Sequence, residues 1–253
     1  MFISDMTWPD LTPGPGDHVI VPIGTLEPHG PHLPLGSDTM ISDHFALRLA
    51  DDIGGHIAPT ISYGVATPTR RVGGAFPGII NITGSTFTTL VTEILACLAQ
   101  HGYRRVVLLN SAIDNLSFLC EAARELTNRA PDVRIMIVSW WDVVGEDFRD
   151  ALAEETGTAR RDDHHAGMVE SSLVMHISPH TIRPDRLPGD GGTEHPRRIS
   201  YHVYPQPADT TTTRGIVYTA AHSSAELGKY VADQVTRELA NAVRREFAAP
   251  IPS

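Results

Sequence analysis

The residues best suited to chemistry crowd into one short stretch, "PIGTLEPHGPHLPLGSDT" (22–39), which contains Glu27, His29, His32 and Asp38. Its proline and glycine residues disfavour a helix, so we expect a folded loop in which the polar side chains converge. Carboxylates and imidazole together suit a divalent cation such as Zn²⁺ or Mn²⁺. Each residue also has an ordinary interpretation, because Asp38 could cap the next helix and His29 could pack inside the loop. From these residues alone, a metal site and the ordinary interpretations both stay open.

A second polar group stands far along the chain in "RRDDHHAGMVESSL" (160–173), where His164 and His165 precede Glu170. A surface position is the ordinary interpretation of a histidine, but clustering with carboxylates is less ordinary. Glu170 lies near the start of a predicted helix, so it could instead be a carboxylate that stabilises the helix N-terminus.

The turn in "VLLNSAIDNLSF" (107–118) connects an apolar strand to a helix, which is where α/β enzymes place their chemistry. The turn itself consists of Ser111, Ala112, Ile113 and Asp114, which provide few functional groups for catalysis. From these residues alone, it is either a depleted active-site turn or simply a turn.

Strand-like and helix-like segments alternate along the chain, which predicts a mostly parallel sheet covered by helices on both faces. The predicted strands are 18–24, 56–64, 104–110 and 133–141, and the predicted helices are 42–55, 85–102, 115–130, 168–177 and 223–247. No repeat or linker divides the chain, so residues 1–253 are predicted to form a single domain. The segment 179–214, rich in Pro, Gly, Arg and Thr, is predicted to be a long loop that serves as a lid or an interface arm.

Composition excludes several classes of protein. The formal net charge of −10 over 253 residues argues against nucleic acid or an anionic membrane surface as the main partner. No apolar run approaches ~18 residues, and the first residues lack the pattern of a secretory signal, so we expect a soluble cytoplasmic protein without a membrane partner. Cys97 and Cys120 lie in apolar helical patterns and are predicted to be buried thiols rather than a disulfide.

Six motifs in the same order resemble the creatininase family of metal-dependent amidohydrolases. They are "PIGTLEPHGPHLPLGSDT" (22–39), "GGAFPGI" (73–79), "HGYRRVVLLN" (101–110), "VSWWD" (138–142), "HAGMVESSL" (165–173) and "REF" (245–247). The resemblance implies a three-layer α/β/α sandwich with a mostly parallel sheet, a homo-oligomer (a hexamer in the family) and a binuclear metal centre at the carboxyl ends of the strands. It also implies that Glu27 binds one metal, that His29 binds the other, and that Asp38 bridges the two.

The turn after the predicted strand 104–110 departs from the family pattern, which there has Asn-Gly-His, two variable residues and Asn. Ala112 stands in place of the family's metal-binding His, and Asp114 stands where creatininase has a metal-binding Glu. One site would keep His29, Asp38 and Asp114, whereas the other would keep only Glu27 and Asp38. The resemblance therefore implies one tightly bound Zn²⁺ or Mn²⁺ per chain and a second site that lacks its usual histidine.

The remaining motifs imply roles in catalysis and substrate binding. His165 matches the proton donor to the leaving nitrogen, and Glu170 matches a glutamate near the metals. His164 replaces an acidic neighbour and could supply a proton or substitute for the missing ligand. Trp141 matches an aromatic residue of the substrate pocket, although it could equally belong to the core. The other candidates for substrate binding are Arg70, Arg71 and Arg161, which imply an anionic substrate if they face the pocket and are solvated surface residues if they do not.

Three functional hypotheses follow. The first is a metal-dependent amidohydrolase that acts on a non-peptide C–N bond, such as a cyclic amide, lactam or formamide, of an anionic small molecule other than creatinine. The second is a repurposed homologue that catalyses dehydration, cyclisation or condensation in a biosynthetic pathway, with a reduced or absent metal centre and with His165 and His164 as acid and base. The third is a non-catalytic homologue. The joint presence of Glu27, His29, Asp38, His165 and Glu170 favours an enzyme.

Overall fold

A parallel sheet forms the centre of the protein in this computed structural model, which describes residues 1–14, 16–65, 76–160, 162–187, 203 and 218–248. Its four strands have the order β2-β1-β3-β4, and every neighbouring pair is parallel. The strands are β1 (His18–Ile23), β2 (His56–Ile57), β3 (Arg105–Asn110) and β4 (Arg134–Ser139). The helices are α1 (Ser37–Ile53), α2 (Gly84–Gln100), α3 (Leu116–Arg129), α4 (Glu146–Thr156), α5 (Met168–Ile177) and α6 (Ala225–Ala248).

The strands bury side chains on both faces, which gives two separate hydrophobic cores. Ile20, Val107 and Leu109 point toward α1, α5 and α6, whereas Val21 and Leu108 point toward α2 and α3. This division follows from the two-residue period of a strand, because successive side chains lie on opposite faces. The near-continuous apolar runs of β1 and β3 are typical of strands that are covered on both sides. The predicted three-layer α/β/α sandwich is confirmed.

Three elements differ clearly from the predictions. Helix α1 begins at Ser37, five positions before the predicted start, because the cap is Gly36 rather than a residue further along. Helix α4 was not predicted; its sequence is polar, and Leu152 is its one fully buried position, so it offers little apolar periodicity. The predicted strand 56–64 is reduced to the two residues of β2 and an isolated bridge between Ile23 and Ile61.

The prediction that both cysteines are buried is wrong, although both are free thiols as expected. Cys97 is exposed because it lies on the opposite side of α2 from Leu95, which faces the core. Cys120 is exposed on α3 beside the buried Leu119. In both helices, fewer positions face the core than the number of apolar residues predicts.

The carboxyl ends of three strands meet at one edge of the sheet. Ile23 of β1 pairs in register with Asn110 of β3, which in turn pairs with Ser139 of β4. The segments that follow these residues therefore emerge side by side, as is usual for ligand sites of parallel α/β sheets. Gly24 permits this arrangement, because a Cβ there would lie 2.6 Å from the backbone nitrogen of Thr39 at the start of α1.

The segment 179–214 lies largely outside the described residues, so its predicted role as a lid or an interface arm stays a prediction. Its first part forms two short 3₁₀ turns, Pro179–Thr181 and Pro184–Arg186. No helix among the described residues is long and apolar enough to cross a membrane. The assignment of residues 1–253 to a single domain also stays a prediction.

Candidate metal centre

The loop between β1 and α1 folds back on itself and turns its polar side chains inward. The Glu27 N–H donates to the carbonyl of Leu35, at 3.1 Å, which closes the loop across three prolines and two histidines. Gly30 has a φ of 69°, in the left-handed region that a glycine adopts readily. Glu27, His29, His32 and Asp38 are all buried as a result.

His29 is the centre of this cluster. Its Nε2 lies 3.1 Å from Oδ1 of Asp38 and 3.9 Å from Oε2 of Glu170, which reaches in from the first turn of α5. The other ring nitrogen, Nδ1, donates to the backbone carbonyl of Glu27 at 3.2 Å. A carbonyl can only accept, so this hydrogen bond directs Nε2 toward the two carboxylates.

Glu27 and His165 form the other side of the cluster. Nδ1 of His165 lies 3.8 Å from Oε1 of Glu27. The His165 ring lies 4.3 Å from the His29 ring, centroid to centroid. The Nε2–H of His165 donates to the carbonyl of Pro28 at 2.7 Å. Both imidazoles are thus oriented by backbone carbonyls of the same short segment.

The electrostatics of the cluster indicate a concentration of negative charge in a buried place. Burial raises the pKa of Glu27 to about 8, and the neighbouring charges of Asp38, Glu170 and Asp114 act in the same direction. Burial likewise raises the pKa of Glu170 to about 7, against the opposing effect of His29. Burial alone would lower the pKa of His29, but the negative charge of Asp38 at 3.1 Å, together with the other two carboxylates, raises it to about 10. Surroundings that hold a proton on a buried imidazole this strongly would also favour a cation.

His165 differs sharply from His29 in its protonation. Burial and then the positive charge of His29 lower the pKa of His165 to about 3. Its imidazole is therefore neutral at physiological pH, with Nε2 protonated and Nδ1 carrying a lone pair.

Three buried atoms of the loop lack hydrogen-bond partners: Oε2 of Glu27, Nε2 of His29 and Nδ1 of His32. Buried polar atoms are normally satisfied, so the two that lie among the carboxylates of the cluster, on Glu27 and His29, need an explanation such as an ion. Among the described residues, two sets of three side chains have ligand atoms within 4.8 Å of one another: Glu27, His29 and His165, and His29, Asp38 and Glu170. Imidazole nitrogen and carboxylate oxygen are the donors that Zn²⁺ and Mn²⁺ accept, so the residues fit such an ion.

The turn after β3 lies beside the cluster and supplies none of its grouped ligand atoms. Asp114 is half-buried and close enough to Glu27 to raise the pKa of Glu27, but it belongs to neither set of three ligands. Ala112 is buried, and its backbone N–H and C=O are both held by the side chain of Asn110. The role of Asp114 as a metal ligand stays a prediction.

The other predicted site residues have mixed placements. His164 is exposed, although it directly precedes His165. Trp141 is half-buried, contacts Trp140 edge to face at 5.4 Å, and packs against the core. Arg70, Arg71 and Arg161 lie outside the described residues.

Sequence reasoning missed two hydroxyl groups that hold the site in place. Thr25 Oγ1 donates to Oδ2 of Asp38 at 2.5 Å, which leaves Oδ1 directed at His29. Ser171 Oγ lies 2.8 Å from Nε2 of His32, which ties α5 to the loop after β1. The signal for Thr25 was available, since it lies two residues past β1 within the polar loop. Nothing local marks Ser171, whose partner is 139 positions away.

Comparison with known proteins assigns the chain to a family. The family model for creatininase, described as creatinine amidohydrolase, matches residues 4–243. The chain belongs to the creatininase family. The creatinine amidohydrolase of Pseudomonas putida is 30% identical over 258 residues, which span 98% of this chain and 97% of that protein. The mycofactocin precursor peptide peptidase of Mycobacterium ulcerans (strain Agy99) is 30% identical over 193 residues, covering 72% of this chain and 63% of that protein.

The structural likeness to creatininase extends over the whole fold. A solved structure of creatininase with Mn matches with a TM-score of 0.85 and 27% identity, covering 98% of this chain and 99% of that chain. The family resemblance found in the sequence motifs is thereby confirmed. Family membership and the grouped ligand atoms together make a metal centre at the carboxyl edge of the sheet the natural candidate site.

Proposed function

We propose that this protein is a metal-dependent hydrolase that cleaves a C–N bond other than a peptide bond, such as that of a cyclic amide, lactam or formamide. The observation that carries the proposal is the cluster of buried Glu27, His29 and Asp38 with the half-buried Glu170, in which Oε2 of Glu27 and Nε2 of His29 have no hydrogen-bond partner. A cluster built only for stability would not leave these atoms unsatisfied.

His29 and Asp38 would hold the ion, with Glu27 and Glu170 on its two sides. A bound Zn²⁺ or Mn²⁺ supplies Lewis acidity, which polarises the carbonyl of the substrate and acidifies water. We propose one tightly bound ion per chain, because Nε2 of His29 is a single donor atom shared by both ligand sets. The turn that contains Ala112 offers only Asp114 as a further ligand.

The departing amine has to be protonated, and the cluster contains two groups suited to this step. Glu170 has a pKa of about 7, close to the pH at which it would have to take up and release a proton. His165 matches the proton donor of the family by sequence position. His164 is exposed on the same segment and would act in proton transfer only in a repurposed homologue.

The proposed substrate is a small molecule with an anionic group. This part of the proposal rests on the sequence positions of Arg70, Arg71 and Arg161, with Trp141 as the aromatic wall of the pocket. Arginine would recognise a carboxylate or phosphate through paired hydrogen bonds. We further propose a homo-oligomer, a hexamer as in the family, located in the cytoplasm, where free thiols such as Cys97 and Cys120 stay reduced.

The test begins with metal content and continues with a substrate panel. Protein purified without chelator is analysed for Zn and Mn per chain and then assayed, after loading with each ion, against lactams, formamides and cyclic amides, each with and without a carboxylate. We expect close to one ion per chain and turnover that Asp38→Asn abolishes. The matched control is Asp43→Asn, on the same helix, which removes a half-buried carboxylate that accepts a hydrogen bond from Thr60 outside the cluster.

Two results would contradict this proposal. Turnover that persists in Asp38→Asn would exclude a metal-dependent mechanism at this site. Turnover that survives chelation but disappears in His165→Ala would indicate the repurposed, metal-independent chemistry instead.

A further inference from the structure

The two histidines of the cluster are held in complementary ways. Nδ1–H of His29 donates to the carbonyl of Glu27, and Nε2–H of His165 donates to the carbonyl of Pro28. Each hydrogen bond fixes which ring nitrogen keeps its proton, so the nitrogens available to a metal are Nδ1 of His165 and, once an ion has displaced its second proton, Nε2 of His29. This is the usual arrangement of metal-binding histidines, whose second ring nitrogen donates to a carbonyl or carboxylate.

The lone pair of His165 faces a carboxylate. Nδ1 of His165 lies 3.8 Å from Oε1 of Glu27, and both residues group with His29 to within 4.8 Å. Two ligands that are each about 2.1 Å from a tetrahedral zinc ion lie about 3.4 Å apart, so only a small contraction is required. The unsatisfied Oε2 of Glu27 belongs to the same carboxylate.

The backbone next to His165 is held in an unfavourable conformation. Ala166 has a φ of 54° and is fully buried. The left-handed region is disfavoured for a residue with a Cβ, and such residues concentrate at functional sites. The Ala166 N–H donates to Oε2 of Glu170 at 2.5 Å, so this conformation fixes Glu170 and the direction of the His165 ring together.

We infer that His165 binds the metal ion directly through Nδ1, which completes a set of Glu27, His29 and His165. Two imidazoles and one glutamate form one of the three-ligand sets that catalytic zinc sites use, and Asp38, which faces the same Nε2 of His29, would complete the coordination. His165 would thus supply the second imidazole that Ala112 cannot. The inference rests on the proposed metal-dependent function and assigns to His165 a role as ligand in place of proton donor.

The first test observes the histidine rings of the intact protein loaded with Zn²⁺. Long-range ¹H–¹⁵N spectra distinguish a zinc-bound ring nitrogen from a protonated or free one. We expect two zinc-bound imidazoles, one coordinated through Nε2 (His29) and one through Nδ1 (His165), with the His165 signals assigned by their loss in His165→Ala. In the same experiment, the Nε2–H proton of His165 should exchange slowly with solvent because Pro28 accepts it.

The second test measures Zn²⁺ affinity by competition with a chromogenic chelator. His165→Ala should weaken binding at least about 100-fold, as expected for the loss of a direct ligand. His164→Ala removes the exposed neighbouring histidine, and His180→Ala removes an exposed histidine elsewhere, so both should bind Zn²⁺ as the wild type does.

The outcomes separate this inference from the proposed function. Zinc that binds with wild-type affinity in His165→Ala, or a wild-type spectrum with one coordinated imidazole, would overturn the role of His165 and leave a metal-dependent hydrolase intact. Loss of affinity in His164→Ala alone would assign the ligand to His164 instead. Wild-type protein that binds neither Zn²⁺ nor Mn²⁺ would overturn the proposed function itself. If His165→Ala does not fold, the wild-type spectrum still decides the question.

Discussion

The loop after β1 and the turn after β3 leave the same edge of the sheet, yet they satisfy their polar groups in opposite ways. In the turn, Asn110 holds both backbone groups of Ala112, and Asn115 accepts a hydrogen bond from the Val65 N–H at 2.9 Å. In the loop, Glu27 and His29 each keep a buried atom without a partner. The turn satisfies the backbone groups of Ala112 internally, whereas the loop leaves buried polar atoms that a cation would satisfy.

This difference favours the loop over the turn as the segment that carries the proposed chemistry. Both are buried, and both are rich in polar residues, so burial and polarity alone do not distinguish them. What distinguishes them is the balance of charge. Apart from the half-buried Asp114, the turn uses neutral amides and hydroxyls, whereas the loop carboxylates, joined by Glu170 of α5, surround the His29 imidazole. Neutral groups can satisfy one another in a dry place, but clustered carboxylates need a cation or a proton.

The largest expected effect comes from removing one charge from the loop. The pKa of Glu27 is raised from an ordinary value of 4.5 to about 8. A raised carboxyl pKa gives stability that is full below pH 4.5 and is lost as the pH rises toward 8, so the metal-free protein should become less stable over that range. Glu27→Gln should flatten this dependence and change the free energy of unfolding at pH 8, relative to pH 5, by a few kcal/mol.

Urea unfolding in the presence of chelator at pH 5, 6.5 and 8 measures this change. Glu93→Gln, an exposed carboxylate on α2, is the control and should keep the wild-type pH dependence. If Glu27→Gln also keeps the wild-type pH dependence, the buried charge of the loop does not destabilise the protein. The loop and the turn would then not differ in how charge affects their stability.

A smaller effect is expected from opening the turn. Asn110→Ala removes the acceptor for the Ala112 N–H and the donor to its C=O, at 3.2 and 2.8 Å, in a fully buried position. Leaving buried backbone groups unpaired should lower the free energy of unfolding by about 2 kcal/mol. Urea unfolding measures the loss, and Asn128→Ala, an exposed asparagine on α3, should show none. Zn²⁺ content should stay unchanged, and a simultaneous loss of metal would mean that the turn is part of the metal centre after all.

Local patterns were enough to predict the sheet, most helices and the polar loop, because these depend on periodicity and composition within a few residues. Glu27, His29 and Asp38 come together because they lie on one loop between β1 and α1. The contacts of His165 and Glu170 with that loop depend on how α5 packs across the sheet, more than 130 residues away in the chain. The resemblance to a family pointed to them, whereas spacing along the chain could not.

The exposure of Cys97 and the existence of α4 were not predictable for a different physical reason. Both depend on which side of an amphipathic segment meets the core, and weakly apolar segments do not specify this. The tautomer of His165 likewise depends on a tertiary contact. It is set by the Pro28 carbonyl at 2.7 Å, which no sequence pattern encodes.

The smallest expected effect comes from introducing a metal-binding side chain into the turn. Ala112 is 5% exposed at the end of β3, next to the strand that leads into the metal loop. Ala112→His should add a second, weaker Zn²⁺ site, so that the zinc content rises above one per chain. Its affinity for this second ion should be about tenfold higher than that of the matched Ala112→Phe, which is equivalent to about 1.4 kcal/mol. Elemental analysis after dialysis against micromolar Zn²⁺ measures the gain, and Ala112→Phe controls for the added bulk. Zinc content equal in the two variants would mean that the hydrogen bonds of Asn110 keep the turn closed to a ligand, so that the loop after β1 and α5 must form the metal centre without it.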